Sequence, residues 1–190
     1  MCEKIRCSWA GELPIYINYH DHEWGRPVFD DNKLFEMLVL EGMQAGLSWI
    51  TVLKKREAFR EAFDGFDPGK VALYGEEKIQ ELLANERIIR NRLKVNAAVT
   101  NAKAFLEIQK VHGSFHQFIW AYVDYTPIQN HWERIEEIPA KTPVSDRISK
   151  DLKKIGFKFV GSTIIYAFMQ AIGMVNDHLT NCFVYPEIKA

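Results

Sequence analysis

Cysteine and histidine side chains that could bind a transition metal lie near both ends of this 190-residue sequence. His178 and Cys182 are four residues apart, and on a helical turn this spacing places both side chains on one face. Two thiolates and two imidazoles form a closed tetrahedral set that suits structural Zn²⁺. The spacing leaves open whether the two ends of the chain meet and which ligands bind. The N-terminal candidates are Cys2, Cys7, His20 and His22.

Glu41 occupies the apolar face of a predicted helix. Leu34, Met37 and Leu38 share this face, because they precede Glu41 by helical spacings of seven, four and three residues. A carboxylate buried among apolar side chains is costly unless it is ion-paired or hydrogen-bonded. Two interpretations stay open here. Glu41 pairs with a buried arginine or backbone group, or it is an acceptor that lines a ligand pocket.

Large aromatic residues are concentrated in the N-terminal third of the chain. Packing in the core is their ordinary role, because they bury large apolar areas. The alternative is a stacking pocket for a flat, cationic base, which aromatic faces attract. The residues concerned are Trp9, Tyr16, Tyr19, Trp24 and Trp49.

Basic residues gather around a predicted break between two helices in the middle of the chain. They form either an ordinary solvated face or a phosphate-binding surface, helped by the free amides of the following helix. The formal net charge of −1 lowers the expectation of nucleic-acid binding without excluding it, because phosphate meets a local patch. The residues are Arg87, Arg90, Arg92 and Lys94, with Lys54, Lys55 and Arg56 on an earlier helix.

Helices are predicted almost throughout, and they position these side chains. Asp31 or Asn32 can cap the helix that carries Glu41, and Ser48 can cap one long helix that begins at Trp49. Residues 75–85 and 93–111 are predicted as helices on either side of the basic break, and residues 124–141 as a long loop. Because no alternating pattern predicts a sheet, we expect an all-α fold. The length favours a single domain over residues 1–190.

The composition, 47% hydrophobic and 26% charged, is that of an ordinary soluble globular protein. The N-terminus lacks the apolar core of a signal peptide, and no later apolar run is long enough to span a membrane. Three cysteines near the extremes of the chain make a poor disulfide framework. We therefore expect a cytoplasmic protein without membrane association.

Four long and irregular motifs are spread over nearly the whole chain: YHDHEWG at 19–25, LEGMQAGLSW at 40–49, GFKFVG at 156–161 and FMQAIGMVNDH at 168–178. Together they closely resemble the bacterial 3-methyladenine DNA glycosylase I family. The resemblance implies a helix–hairpin–helix glycosylase fold and base-excision repair of double-stranded DNA that contains alkylated adenine. The expected reaction is hydrolysis of the N-glycosidic bond of 3-methyladenine, which releases the free base as a product ligand and leaves an abasic site.

The resemblance also implies a ligand set and a base pocket. The zinc ion would be structural and would fasten the terminal segments 1–25 and 174–190, with Cys2 and His22 left out. Glu41 would be the catalytic residue, acting mainly through a hydrogen bond from the exocyclic amine of the base. The implied zinc ligands are Cys7, His20, His178 and Cys182. The implied base-binding residues are Tyr16, Tyr19 and Trp49, with Trp9 and Trp24 around them.

For DNA, the resemblance implies a hairpin near residues 85–92 and a loop that pushes into the duplex where the base leaves. One position departs from the family pattern. The hairpin normally carries a glycine, and here Arg87 occupies that position. We expect Asn85 to supply the left-handed turn instead. The implied DNA-binding residues are Gly46 and Leu47 in the loop, and Arg87, Arg90 and Arg92 in the hairpin.

Three alternative functions can be distinguished from that of a monofunctional glycosylase. A bifunctional glycosylase/lyase would form a Schiff base on a lysine such as Lys94. A non-catalytic, zinc-stapled module would only sense lesions. A zinc hydrolase would need an open metal position, against which a set of four protein ligands argues. We expect a monomer that forms no covalent lysine adduct.

Overall fold

The computed structural model describes residues 4–188, so Cys2 lies outside the described residues. Helices dominate this part of the chain, and connections between them are short. The ten α-helices of the described residues are α1 (Pro14–His22), α2 (Asp31–Gln44), α3 (Trp49–Leu53), α4 (Arg56–Ala62), α5 (Pro68–Val71), α6 (Glu76–Ala84), α7 (Arg92–His112), α8 (Phe115–Trp120), α9 (Pro143–Ile155) and α10 (Ser162–Ala171).

Short 3-10 turns and one pair of strands fill the connections. The strands β1 (Ile128–Gln129) and β2 (Val175–Asn176) pair in parallel, with Ile128 opposite Val175. The sequence analysis predicted no sheet, and two-residue strands are too short to produce an alternating pattern. The 3-10 turns are Ser8–Ala10, Asp64–Phe66, Ala121–Val123, Ile135–Glu137 and Tyr185–Glu187.

Helix α2 lies at the centre of the fold. Its residues 34–43 are all buried, and it packs against α7, α8 and α10 as well as α3. A helix that is apolar on most of its surface is expected in the core rather than at the surface. Glu41 is therefore enclosed by neighbouring helices on every side but one, where the cavity described below begins.

Two helix starts differ from the predicted ones. Asp30, rather than Asp31 or Asn32, caps α2, because its side chain accepts a hydrogen bond from Lys33 N at 2.8 Å. Asp31 instead accepts from the backbone amides of Phe115 and His116, both at 2.8 Å, and so caps α8. An acidic side chain next to a helix start satisfies free amides of whichever helix it reaches. Spacing alone does not distinguish a local cap from a tertiary one.

The predicted long helix after Ser48 is two helices. The helix is interrupted at Lys54 and Lys55, between α3 and α4. The Ser48 hydroxyl hydrogen-bonds to the hydroxyl of Thr51 at 2.8 Å and makes no side-chain bond to a backbone amide. Lysine is a good helix former, so the local sequence at Lys54 and Lys55 does not explain the break, and we attribute it to tertiary packing.

The C-terminal segment packs against the N-terminal one. Phe183 N donates to the backbone oxygen of Ile5 at 2.9 Å, and Cys7 and Cys182 are buried in the same small apolar cluster. Gly173 allows a further close approach: its φ is +73°, and a Cβ there would lie 2.4 Å from the carbonyl carbon of Arg26. The two ends of the described chain therefore meet. Among the described residues, no helix has both the length and the apolar character that crossing a membrane requires.

Candidate functional site

A cavity of about 440 Å³ opens between α1, α2, α3, α10 and the loop before α9. Its volume suits a small planar ligand. All six residues that the sequence analysis assigned to a base pocket line this one cavity: Glu41, Trp9, Tyr16, Tyr19, Trp24 and Trp49.

Glu41 is 4% exposed and is the acidic residue of the cavity wall. Among the described residues, no side chain or backbone group forms an ion pair or hydrogen bond with its carboxyl group. Burial raises the pKa of Glu41 to about 8, because the cavity offers the charged form little solvation. The carboxyl group therefore faces the cavity without a protein partner, and a ligand with an N–H donor would satisfy it.

The alternative of a paired Glu41 does not hold, because the nearby buried arginine has other partners. Arg56 lies 2.8 Å from the carboxylate of Glu23 and 2.6 Å from that of Glu36. These acids sit just after α1 and on α2, while Arg56 begins α4. The buried guanidinium therefore joins the segments that carry Tyr19 and Glu41, which helps to fix the cavity walls.

Six aromatic residues also line the cavity, and five of them are those that the sequence analysis named. Tyr19 and Trp49 lie with ring centroids 5.4 Å apart, and Trp9 lies 4.9 Å from Trp24 and 5.7 Å from Tyr16. These are ordinary aromatic contact distances, so the rings support one another. Their π-faces are electron-rich and attract a cationic ring more strongly than a neutral one.

A second cluster lies behind this wall. The side-chain ligand atoms of Cys7, His20, His178 and Cys182 are all within 4.8 Å of one another, and all four residues are buried. Sulfur-to-nitrogen distances are 3.6 Å from Cys7 to His178 and 3.5 Å from Cys182 to His20. Ligands of a tetrahedral Zn²⁺ with ordinary bond lengths would show sulfur–nitrogen separations of about 3.5 Å. The four side chains therefore fit this metal in type and spacing.

Outer hydrogen bonds orient both imidazoles toward the cluster. His20 Nδ1 lies 2.8 Å from Asp21 Oδ1, and His178 Nε2 lies 3.0 Å from the backbone oxygen of Trp24. In each ring the other nitrogen faces the sulfur atoms of the cluster, which is the usual arrangement at zinc sites. A hydrogen bond from Cys7, with further bonds from the two imidazoles, lowers the pKa of Cys182. The site thus favours a thiolate, the form that binds metal.

The structure distinguishes between the two N-terminal histidines that the sequence left open as metal ligands. His22 ends α1 on the exposed surface and is not part of the cluster. The cluster touches the cavity wall, because the Trp24 ring lies 4.7 Å from the His178 ring and Trp9 lies 5.2 Å from His20. A bound metal would therefore support two cavity tryptophans from behind.

The Gly46–Leu47 loop follows α2 at the edge of the site. Gly46 has φ +77° with open space around its α-carbon, and Leu47 is 42% exposed. Lys94 Nζ donates to the backbone oxygens of Met43 and Ala45, at 2.8 and 2.7 Å. This nearly buried ammonium fixes the end of α2 and the start of the loop, since a cation suits a helix C-terminus.

The turn between α6 and α7 differs from the expectation. Asn85 has φ −77°, so it does not adopt the left-handed conformation, and no residue from 85 to 91 has positive φ. Its side-chain oxygen instead accepts from Arg87 N at 3.0 Å and closes the turn. The three arginines of this region are exposed, and each pairs with a glutamate: Arg87 with Glu61, Arg90 with Glu86 and Arg92 with Glu76.

Known proteins are similar to this chain over nearly its whole length. A family model described as methyladenine glycosylase matches residues 9–185. The chain belongs to the methyladenine glycosylase family. It is 54% identical over 177 residues to the DNA-3-methyladenine glycosylase of Haemophilus influenzae, a match that covers 93% of this chain and 96% of that protein.

Solved structures of this family share the fold. A crystal structure of 3-methyladenine DNA glycosylase I superposes with a TM-score of 0.93 at 53% identity, covering 96% of this chain and 100% of that one. A Staphylococcus aureus structure that concerns 3-methyladenine recognition by this enzyme gives 0.92 at 40% identity, covering 95% and 96%. The predicted family and the mostly helical fold are thereby confirmed.

Several residues that line the cavity were not predicted from the sequence. Tyr166 and Gln170 come from α10, and Ile135 and Ile138 come from the loop before α9. Gln170 falls within one of the family motifs, which offered a signal for it. The loop residues offered none, because an irregular segment has no periodicity that points to a pocket. The other wall residues are Gln44, Pro139, Ala140, Thr163 and Ala167.

Proposed function

We propose that this chain is a monofunctional DNA glycosylase that hydrolyses the N-glycosidic bond of 3-methyladenine in double-stranded DNA. The products are the free base and an abasic site. One observation carries the proposal: Glu41 stands as a buried carboxyl group without a protein partner in a cavity whose walls are aromatic. Named relatives with this activity, at 54% identity over nearly the full length, support it.

The cavity is matched to a flat, cationic purine. Alkylation at N3 gives the base a positive charge in DNA, and aromatic faces attract such a ring by about 1 kcal/mol each beyond burial. Tyr16, Tyr19 and Trp49 would stack on it. The charge also makes the base a good leaving group, so its departure needs no general acid from the protein. The task of the cavity is then mainly to select the base.

Glu41 would supply selectivity through its carboxyl group. The exocyclic amine of adenine donates a hydrogen bond, whereas guanine carries an acceptor oxygen at the same position. A buried acceptor left without a donor costs about 1–3 kcal/mol, so a base without the amine is disfavoured. A cationic ring beside Glu41 also favours the ionised carboxylate, against the effect of burial.

To place the base in this cavity, the enzyme would rotate the nucleotide out of the duplex, at a cost of a few kcal/mol of unstacking. Leu47 would fill the space that the base leaves. The exposed arginines 87, 90 and 92 would contact phosphates, because surface ion pairs are weak and their partners exchange easily. The turn that carries them would be the family's DNA-binding hairpin.

Zn²⁺ would be bound by Cys7, His20, His178 and Cys182, and would supply structural support to the cavity wall. The set of four protein ligands is closed, so it suits a structural rather than a hydrolytic metal. The lyase alternative loses its candidate nucleophile. Lys94 is nearly buried, and its ammonium group donates to two backbone oxygens. A Schiff base requires a free amine facing the sugar.

The test is to incubate the protein with methylated DNA and identify the released bases by chromatography. We expect free 3-methyladenine and abasic sites. Glu41→Gln should reduce this release and weaken the binding of free 3-methyladenine, because the amide presents donors as well as an acceptor. Glu107→Gln, an exposed glutamate on α7, is the matched control and should behave as wild type. Wild-type protein that releases no 3-methyladenine would exclude the proposal.

A further inference from the structure

Asp177 is a fully buried carboxylate outside the cavity that accepts hydrogen bonds from four side chains. Its Oδ1 accepts from Asn130 Nδ2 at 2.7 Å and from Trp132 Nε1 at 2.8 Å. Its Oδ2 accepts from the hydroxyl of Tyr166 at 2.7 Å and from Gln170 Nε2 at 2.8 Å. All four bonds are short, and hydrogen bonds to a charged acceptor are stronger than neutral ones.

The two pairs of donors belong to two different walls of the cavity. Tyr166 and Gln170 lie on α10 and line the cavity directly. Asn130 and Trp132 do not line it, but they begin the loop whose residues 135, 138, 139 and 140 form the opposite part of its boundary. Between β1 and α9, the regular structure of this loop is the 3-10 turn Ile135–Glu137. Asp177 is therefore a common anchor for helix and loop.

We propose that Asp177 is a positioning residue that sets the shape and hydrogen-bonding character of the cavity without touching the ligand. This inference rests on the proposed function of the cavity as a base pocket. It names a determinant of base affinity that lies beyond the cavity wall itself.

The chemistry requires a carboxylate at this position. A carboxylate only accepts hydrogen bonds, and here each of its oxygens receives two donors. An asparagine would place its amide nitrogen, itself a hydrogen-bond donor, opposite one of the two pairs of donors. The two donors of that pair would then lack an acceptor at residue 177. Either the loop or α10 would then lose its hydrogen bonds to residue 177.

The contact also fixes the side-chain amide of Gln170. Because Nε2 donates to Asp177, Oε1 is the atom left to accept from a ligand, and no donor among the described residues reaches it. This wall of the cavity would thus present an acceptor, as Glu41 does on another wall. Both acceptors suit a base with N–H donors and disfavour one with acceptors in their place.

The experiment compares the metal-loaded wild-type protein with Asp177→Asn, using calorimetric titration with free 3-methyladenine and excision from methylated DNA. We expect the dissociation constant to rise about tenfold, the effect of losing one or two buried hydrogen bonds. Asp151→Asn is the matched control, because Asp151 accepts from the hydroxyl of Tyr122 away from the cavity. It should bind the base as wild type does.

Rescue separates positioning from general destabilisation. In the double variant Asp177→Asn, Asn130→Asp, the acceptor and donor exchange places, so the contact between residues 177 and 130 can form again and α10 keeps its acceptor, while only Trp132 still lacks one. We expect affinity to recover substantially over Asp177→Asn alone. Unchanged affinity in folded Asp177→Asn, failure of the exchange to rescue it, or loss of bound metal in proportion to the lost affinity would each overturn the inference.

A further variant covers the case in which Asp177→Asn fails to fold. Trp132→Phe removes one donor to Asp177 from a residue that does not line the cavity. We expect a rise of roughly threefold or more in the dissociation constant, and an unchanged value would contradict the inference. Wild-type protein that releases no base refutes both proposals. Active wild type beside Asp177→Asn of unchanged affinity and activity refutes only this one.

Discussion

His178 donates from Nε2 to the backbone oxygen of Trp24 at 3.0 Å, while Nδ1 of the same ring lies 3.6 Å from the sulfur of Cys182. One imidazole thus joins the metal-binding cluster to a wall of the cavity. The cluster supports the cavity, and its own atoms remain behind that wall. In the proposed function, structural support and base recognition would therefore be separate tasks of neighbouring residues.

Replacement of Cys182 by alanine should lower the stability of the protein first and its activity only as a consequence. A lost zinc ligand removes on the order of several kcal/mol of folding free energy. Thermal unfolding and metal content per chain measure the change, and Cys2→Ala is the control, since Cys2 is not in the proposed ligand set. A Cys182→Ala protein with normal Tm but no catalysis would contradict this separation.

Glu41→Gln should stabilise the protein at neutral pH. The pKa of Glu41 is raised by burial from 4.5 to about 8, so the folded state disfavours ionisation. Wild-type stability is then fully present below about pH 4.5 and is lost as the pH rises toward 8, by about 1.4 kcal/mol per unit. Denaturant titrations between pH 5 and 8 should show a growing advantage of the variant. Parallel pH profiles for the two proteins would exclude this origin.

Ionisation of Glu41 destabilises the folded protein, but it should favour catalysis. The ionised carboxylate is the better partner for a cationic base, so kcat/KM on methylated DNA should rise with pH up to about 8 and then level off. The profile of kcat/KM reports the free enzyme. In Glu41→Gln this rising limb should vanish at a lower overall activity. A limb that persists unchanged would assign it to another group.

Leu47→Ala should impair excision from duplex DNA without altering the affinity for free 3-methyladenine. Leu47 is exposed and lies outside the cavity wall, so its proposed contact is with the duplex alone. Val111→Ala is the matched control, because Val111 is 76% exposed near the far end of α7. Single-turnover excision and calorimetric titration check the two properties. Equal losses in both would show that Leu47 acts through the cavity.

The sequence predicted those parts of the fold that depend on local patterns. The apolar helix face that holds Glu41 is a property of neighbouring residues, and the structure contains it. Contacts between distant segments leave no such pattern. Asp31 caps α8 across 84 residues of sequence.

The candidate site likewise contains residues that the sequence predicted and contacts that it did not. The residue pattern made Glu41 and the aromatic residues candidates for a pocket, and the family resemblance selected this interpretation. The hydrogen bonds of Asp177 join residues 166 and 170 on α10 to residues 130 and 132, which lie in a distant segment of the chain. Only the folded structure brings them together.

Lys94→Met should weaken the link between the helix α7 and the Gly46–Leu47 loop. The substitution leaves the backbone oxygens of Met43 and Ala45 without their ammonium donor, at a cost of about 1–3 kcal/mol. Excision from DNA should fall, because the loop loses its fixed start, while free base still binds. Lys103→Met, an exposed lysine on the same helix, is the control.

The wild-type protein should also give no adduct with abasic DNA after borohydride reduction, since the Lys94 ammonium group is held by two carbonyl oxygens. An adduct that disappears in Lys94→Met would instead make Lys94 a nucleophile. Normal excision by a folded Lys94→Met protein would show that the loop keeps its geometry without this contact. The two measurements therefore separate a positioning lysine from a covalent one.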